Sequence, residues 1–177
     1  MVKNIELTQG QFAIVDDEDF AMLSAYKWHA HKGKGKIYYA ISNIDIGERA
    51  ERKFFNGRLY NARKITTCIK MHRLIMKPPK NMVIDHINGN GLDNRKENLR
   101  VCSPAQNNLN STKKAQASSK YKGVRKHQGK WDARISINKE TIYLGRFNSV
   151  INAATAYNIG AAIYHKQFAK FNDWKTV

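Results

Sequence analysis

The run Lys130–Ile137 alternates strictly: Trp131, Ala133, Ile135 and Ile137 fall on one side, Lys130, Asp132, Arg134 and Ser136 on the other. A period of two is the mark of a strand with one buried face. Such a strand needs neighbours and a cover, and the flanking sequence supplies both. Tyr121–His127 precedes it across a Gln128-Gly129 turn, and Thr141–Phe147 follows across Asn138-Lys139-Glu140. From about Ser149 to Lys166, Val150, Ala153, Ala154, Tyr157, Ala161 and Tyr164 recur at helical spacing, and the alanines permit close approach to a sheet. The segment is expected to form a three-stranded antiparallel sheet packed on one helix.

The opposite face of that sheet would show Arg125, His127, Lys130, Arg134, Ser136 and Tyr143 together. This part of the chain is also the most basic. The whole chain carries 31 Lys and Arg against 14 Asp and Glu, a net charge of +17, and residues 118–177 hold eleven of the former but three of the latter. Solubility asks for a net charge of only about 2–8 in a small domain, so the excess points to an anionic partner. No stretch approaches the ~18 consecutive apolar residues of a membrane span. Nucleic acid is therefore favoured over a membrane, and a cationic strand face with an aromatic suits the major groove of double-stranded DNA. The N-terminus lacks the apolar core of a signal peptide, so a cytoplasmic location is expected. Cys68 and Cys102 are too few for a disulfide scaffold or a four-cysteine zinc site, and no structural zinc is expected.

Residues 1–70 read as a small, mostly β domain with one short helix. Asp16-Asp17-Glu18-Asp19 would start that helix, favoured at its positive end. Gly33-Lys34-Gly35-Lys36 marks a hairpin turn, and Ile65, Thr67 and Ile69 alternate along a half-buried strand. Residues 111–120 are polar and read as a linker.

Residues 71–110 hold the densest polar chemistry. Pro78-Pro79 breaks the chain before a short strand, Met82–Ile87, and Asn88-Gly89-Asn90-Gly91 forms a loop. Leu99–Cys102 can return as a second strand, and Ser103-Pro104 caps a helix. The expected order is strand, loop, strand, helix. Asp85, His86, Asn98 and Asn107 stand out. Hydrolysing a phosphodiester near neutral pH needs an activated water and a cation near the phosphate. Histidine suits the base, while a carboxylate and an amide oxygen are hard ligands suited to Mg²⁺ or Mn²⁺. Asp85 and His86 are adjacent on a strand, so one can address an ion while the other addresses water.

The stretch Met71-His72-Arg73-Leu74, Val83-Ile84-Asp85-His86-Ile87-Asn88-Gly89-Asn90, Asp93 to Arg100 and Asn107 resembles the HNH endonuclease family, in the branch typical of phage and intron homing nucleases. The resemblance implies an α+β chain in which this module is a ββα-metal finger. It implies that Asp85 and Asn107 hold the ion, that His86 is the general base, and that Asn98 pins the loop and orients the histidine. His72 and Arg73 would approach the phosphate. Many relatives carry cysteine pairs that bind zinc around the finger. This chain has none there, so packing must hold it.

Residues 121–172 resemble a second family. Tyr121-Lys122-Gly123-Val124-Arg125, Gly129 to Ile135, Tyr143-Leu144-Gly145-Arg146-Phe147 and Ala156-Tyr157-Asn158 match the Apetala-two/ethylene-response-factor DNA-binding domain. Its contact positions fall on Lys122, Arg125, His127, Lys130, Arg134, Ser136, Thr141 and Tyr143. The joint expectation is a metal-dependent, site-preferring endonuclease of duplex DNA, located in a bacterial host's cytoplasm if phage-encoded. Monomer and homodimer both remain open. The rival expectations are a DNA-binding regulator with an inactive finger and an indiscriminate toxin-type nuclease.

Overall fold

A computed structural model describes residues 1–33, 37–49, 53–60, 64–111, 118–138 and 140–173. The architecture is α+β, with four helices and several small antiparallel sheets among those residues. Packing divides the chain into two compact units, Met1–Val101 and Cys102–Val177.

In the first unit, β1 (Val2–Glu6) pairs with β2 (Phe12–Asp16), and α1 (Asp17–Ser24) follows directly. Three acidic side chains fill the first turn of α1, where the helix dipole favours them. A three-stranded sheet is built from β3 (His29–Lys32), β4 (Tyr38–Arg49) and β7 (Lys64–Lys70), while β5 (Lys53–Phe55) and β6 (Arg58–Tyr60) form a separate hairpin. The turn expected at 33–36 lies mostly outside the described residues. In β7, Ile65 and Thr67 are exposed and only Ile69 packs on the core, so the strand is buried at one end rather than along one face.

His72 and Arg73 lie on a short helix, α2 (Met71–Met76), ended by Lys77 in the left-handed region. β8 (Val83–His86) pairs with β9 (Leu99–Cys102). One apolar cluster joins Ile5, Leu7, Ala13, Val15, Leu23 and Trp28 to Met71 and Leu92. The packing therefore continues through residue 70, and the N-terminal strands and the polar loop share a core.

In the second unit, α3 (Pro104–Leu109) begins with a full capping box. Ser103 accepts the Gln106 amide at 3.2 Å, and Gln106 Oε1 accepts the Ser103 amide at 2.9 Å. The sheet follows in the order β10 (Val124–His127), β11 (Lys130–Ile137), β12 (Glu140–Phe147). Ala133, Ile135, Ala153, Ala154, Tyr157 and Ala161 are buried between this sheet and α4 (Val150–Tyr164), which Ser149 caps. Tyr164, expected on the core face, is exposed. The first strand starts at Val124 rather than Tyr121, because Gly123 takes φ +72° and a Cβ there would stand 1.9 Å from the Tyr157 ring. Asn172 closes the unit: its Oδ1 accepts the Lys122 amide at 2.6 Å, and its amide donates to Asn158 Oδ1 at 2.8 Å.

Candidate active site

Asp85 and His86 end β8, so their side chains diverge. Both are buried. Asp85 Oδ2 accepts from Arg100 Nε at 2.8 Å, and Arg100 NH2 lies on the same oxygen. His86 meets two other rings: His72 edge-on at 5.1 Å between centroids, and Tyr39 at 5.9 Å. The polar and aromatic groups thus meet around one short strand.

Burial pushes His72 down to about 3, with the charges of Lys70 and Arg73 and the neighbouring His86 adding to it. Burial also lowers His86, while Asn94, Asp85 and Asp93 pull it back upward. Both imidazoles are neutral at neutral pH. A neutral imidazole has one basic nitrogen, and the surroundings select which. Asn94 Nδ2 donates to the Leu92 carbonyl at 3.1 Å, so its Oδ1 faces His86 Nε2 in a long 3.5 Å contact. A proton on Nε2 would suit that amide oxygen.

Asn98 spans the intervening loop. Its Oδ1 accepts the Asn88 amide at 3.0 Å, and its Nδ2 donates to the Asp93 carbonyl at 2.8 Å. The side chain at His86 Nε2 is that of Asn94, not Asn98. Asp93 and Asn94 are the site residues that sequence reasoning passed over. Asp93 is buried, accepting Asn88 Nδ2 at 2.9 Å and Arg95 Nε at 2.8 Å, and the Arg95 guanidinium holds its carboxyl below the usual range. A signal was present: Asn88, Asn90 and Asp93 each accept the amide two residues on, at 2.8, 3.1 and 3.5 Å. That is a chain of side-chain-to-backbone turns, which needs Asn or Asp at those steps.

The loop is also stitched to the N-terminal hairpin. The Ile14 amide donates to Leu92 O at 2.9 Å, and the Asn94 amide donates to Ile14 O at 2.7 Å. Asp16 Oδ2 accepts the Lys96 amide at 2.7 Å, and Lys96 Nζ pairs with Glu18 and Asp19. Gly91 lies so close to β4 that a Cβ would stand 2.4 Å from the Tyr38 carbonyl. Arg73, expected near the phosphate, donates to the Met82 carbonyl at 3.1 Å. Asn107 is carried by α3 in the second unit. Asp85, His86, Asn98 and His72 lie in the first. Among the described residues there is no cluster of three or more His, Cys, Asp or Glu side chains suited to a metal.

On the second unit's sheet, the face away from α4 carries Arg125, His127, Lys130, Arg134, Ser136, Thr141 and Tyr143. Arg134 lies over the Tyr143 ring at 5.7 Å, and the Ser136 and Thr141 hydroxyls are 3.4 Å apart. Lys122 stands apart from that face. Its ammonium donates to the Leu109 carbonyl and, at 2.8 Å, to that of Ser111, and burial pushes it down to about 8. Arg146 joins the face and was not foreseen. The register shifts between Ala133 and Arg134, so Tyr143 and Arg146 both point outward although three residues apart.

A profile of the HNH endonuclease family matches residues 71–109. An uncharacterized HNH endonuclease of Acanthamoeba polyphaga mimivirus is 30% identical over 165 residues, covering 93% of this chain and 76% of that protein. The chain belongs to the HNH endonuclease family and is an endonuclease by that membership. Part of it is also similar to APETALA2-like protein 2 of Oryza sativa, in both indica and japonica forms. The identity is 40% over 65 residues, or 35% of this chain and 15% of the rice protein.

Proposed function

We propose that the chain is a metal-dependent, site-preferring endonuclease of the homing type, hydrolysing phosphodiester bonds in duplex DNA. The observation that carries this reading is a buried His86, its pKa lowered by that burial, set one residue from a buried carboxylate on the opposite side of the same strand. His86 would take the proton from the attacking water. Asn94 faces its Nε2, and Asn98 bridges the loop that carries Asn94.

Asp85 and Asn107 would hold a divalent cation in a ββα-metal finger formed by β8, β9 and α3. Their donor chemistry fits: both offer hard oxygens, and a two-ligand set suits Mg²⁺ or Mn²⁺, which keep waters and bind substrate phosphate. Bound there, the ion supplies positive charge for the phosphate and the departing 3′ oxygen. The second unit's basic sheet would dock in the major groove and set the site preference. Its likeness to part of an APETALA2-like protein supports this, as does the cationic face itself.

Incubating supercoiled plasmid with purified protein and Mg²⁺ tests the reading. We expect nicked or linear product that EDTA abolishes, and a His86→Ala rate lower by ~10²–10⁴. Product that survives EDTA would refute the role of the metal, and no product at all would leave a protein that binds DNA without cutting it.

A further inference from the structure

The outer face of the second unit's sheet has an acid at its centre. Arg125, Asp132 and Arg146 stand in one cross-strand row on β10, β11 and β12. Asp132 Oδ1 accepts from Arg146 Nε at 2.8 Å and from the Tyr143 hydroxyl at 3.5 Å. Its Oδ2 is shared more loosely, by Arg125 at 3.5 Å and by His127 and Arg134 at 3.7 Å each. The carboxylate has no exposed side-chain surface, while the four bases around it keep 37–48% of theirs.

A carboxylate is the wrong charge for a surface that meets phosphate, and it lowers attraction to any duplex. What it can contribute is direction. Arginine side chains left to mutual repulsion on a flat sheet would splay and sample many rotamers. A shared acceptor beneath them fixes where each guanidinium points, and the loose contacts leave donor edges of Arg125 and Arg134 for a ligand. Arg146 is the strut, since its Nε is held by Asp132, NH1 donates to Gln128 at 3.2 Å and NH2 meets His127 Nδ1 at 2.7 Å.

We propose that Asp132 is the positioning residue of this face, holding Arg125 and Arg134 so that they read base edges, and that it raises selectivity at the expense of affinity. The pairing chemistry of a fixed guanidinium favours guanine N7 and O6. The inference rests on the reading of this sheet as a major-groove surface. It adds that a residue with no direct role on DNA sets the discrimination.

The test uses the full chain in EDTA, so that binding is read without cleavage. Duplexes are selected from a random pool by the wild type, and binding to selected and unselected duplex is measured by fluorescence anisotropy for wild type and Asp132→Asn. We expect the variant to bind unselected duplex more tightly, while the ratio of selected to unselected affinity falls about tenfold or more. A folding defect would weaken both, so the opposite movement of the two is the signature. Should Asp132→Asn fail to melt cooperatively, Arg146→Lys is read on the ratio alone: it keeps the charge and removes the strut, so binding to unselected duplex should hold while the selected-to-unselected ratio falls, and an unchanged ratio overturns the inference. A wild type that selects no preferred duplex refutes the docking reading and the inference together. A wild-type preference that survives in the folded variant overturns the inference alone.

Discussion

The His72 imidazole makes the first unit sensitive to mild acid. It is buried against Tyr39 and His86, and its Nδ1 has no hydrogen-bond partner among the described residues. Its folded pKa of about 3 lies below the ordinary 6.5. The unfolded chain therefore takes the proton first, and the stability present above pH 6.5 drains away as pH falls toward 3. Linkage puts the loss at ~2 kcal/mol between about pH 7 and 5, and at roughly 4 kcal/mol by about pH 3. His86, lowered by the same burial, acts in the same direction. Asp93, Asp132 and Glu18 are held below their ordinary values and stay ionised through the upper part of that range, so they do not mask it. Urea unfolding in EDTA can be followed by Trp28 fluorescence once Trp131 and Trp174 are replaced by Phe. His72→Phe keeps an apolar ring in the aromatic cluster and cannot titrate. It should match the parent near neutral pH and lose ~2 kcal/mol less on going to about pH 5. Parallel curves for parent and variant, within ~0.5 kcal/mol at every pH, would show that the buried imidazole is not what titrates.

Two further substitutions probe the backbone devices. Asn98→Ala removes the bridge across the 88–98 loop and leaves the Asn88 amide and Asp93 carbonyl without that partner, at a cost of about 2–4 kcal/mol. Faster hydrogen exchange at the Asn88 amide should accompany the lower urea midpoint, and an unchanged midpoint would mean water replaces the amide at no cost. Gly123→Ala places a methyl 1.9 Å from the Tyr157 ring at φ +72°, so the second unit should lose more than ~4 kcal/mol in thermal unfolding. A melting curve like the parent's would show that the turn before β10 can move.

Local chemistry was legible in the sequence where it was self-contained. The strict alternation of Lys130–Ile137, the alanine-spaced helix after Ser149 and the Ser103-Pro104 cap each declare themselves within a few residues, and the structure has all three. Two kinds of feature were not legible. The bulge between Ala133 and Arg134 shifts the register by one step, and no count of alternation in β12 alone places Arg146 on the outer face. The other kind is long-range. Nothing near Asp16 announces that it accepts the Lys96 amide, 80 residues away, or that Lys96 returns to Glu18. His72 shows a middle case: the motif marked it, but not that the chain turns into α2 at Met71 and buries the imidazole beside His86.

The long-range contacts explain how the loop between β8 and β9 is held. A short strand pair and a polar loop bury little apolar surface and are marginal alone. Here the closure is made by backbone. Ile14 takes Leu92 and Asn94 on its two sides, Lys96 is held by Asp16, and Leu92 enters the core with Met71, Val15 and Leu23. The loop that brings Asn94 to His86 is thus fixed by the first hairpin of the chain. Cutting the finger out at residue 71 would bare Leu92 and strip Asn94 of the Ile14 carbonyl that holds its amide. His86 would then lose a settled Asn94 beside its Nε2 even though every motif residue remained. Residues 1–24 are for that reason part of the site's chemistry, as the fixed wall against which the polar loop is folded.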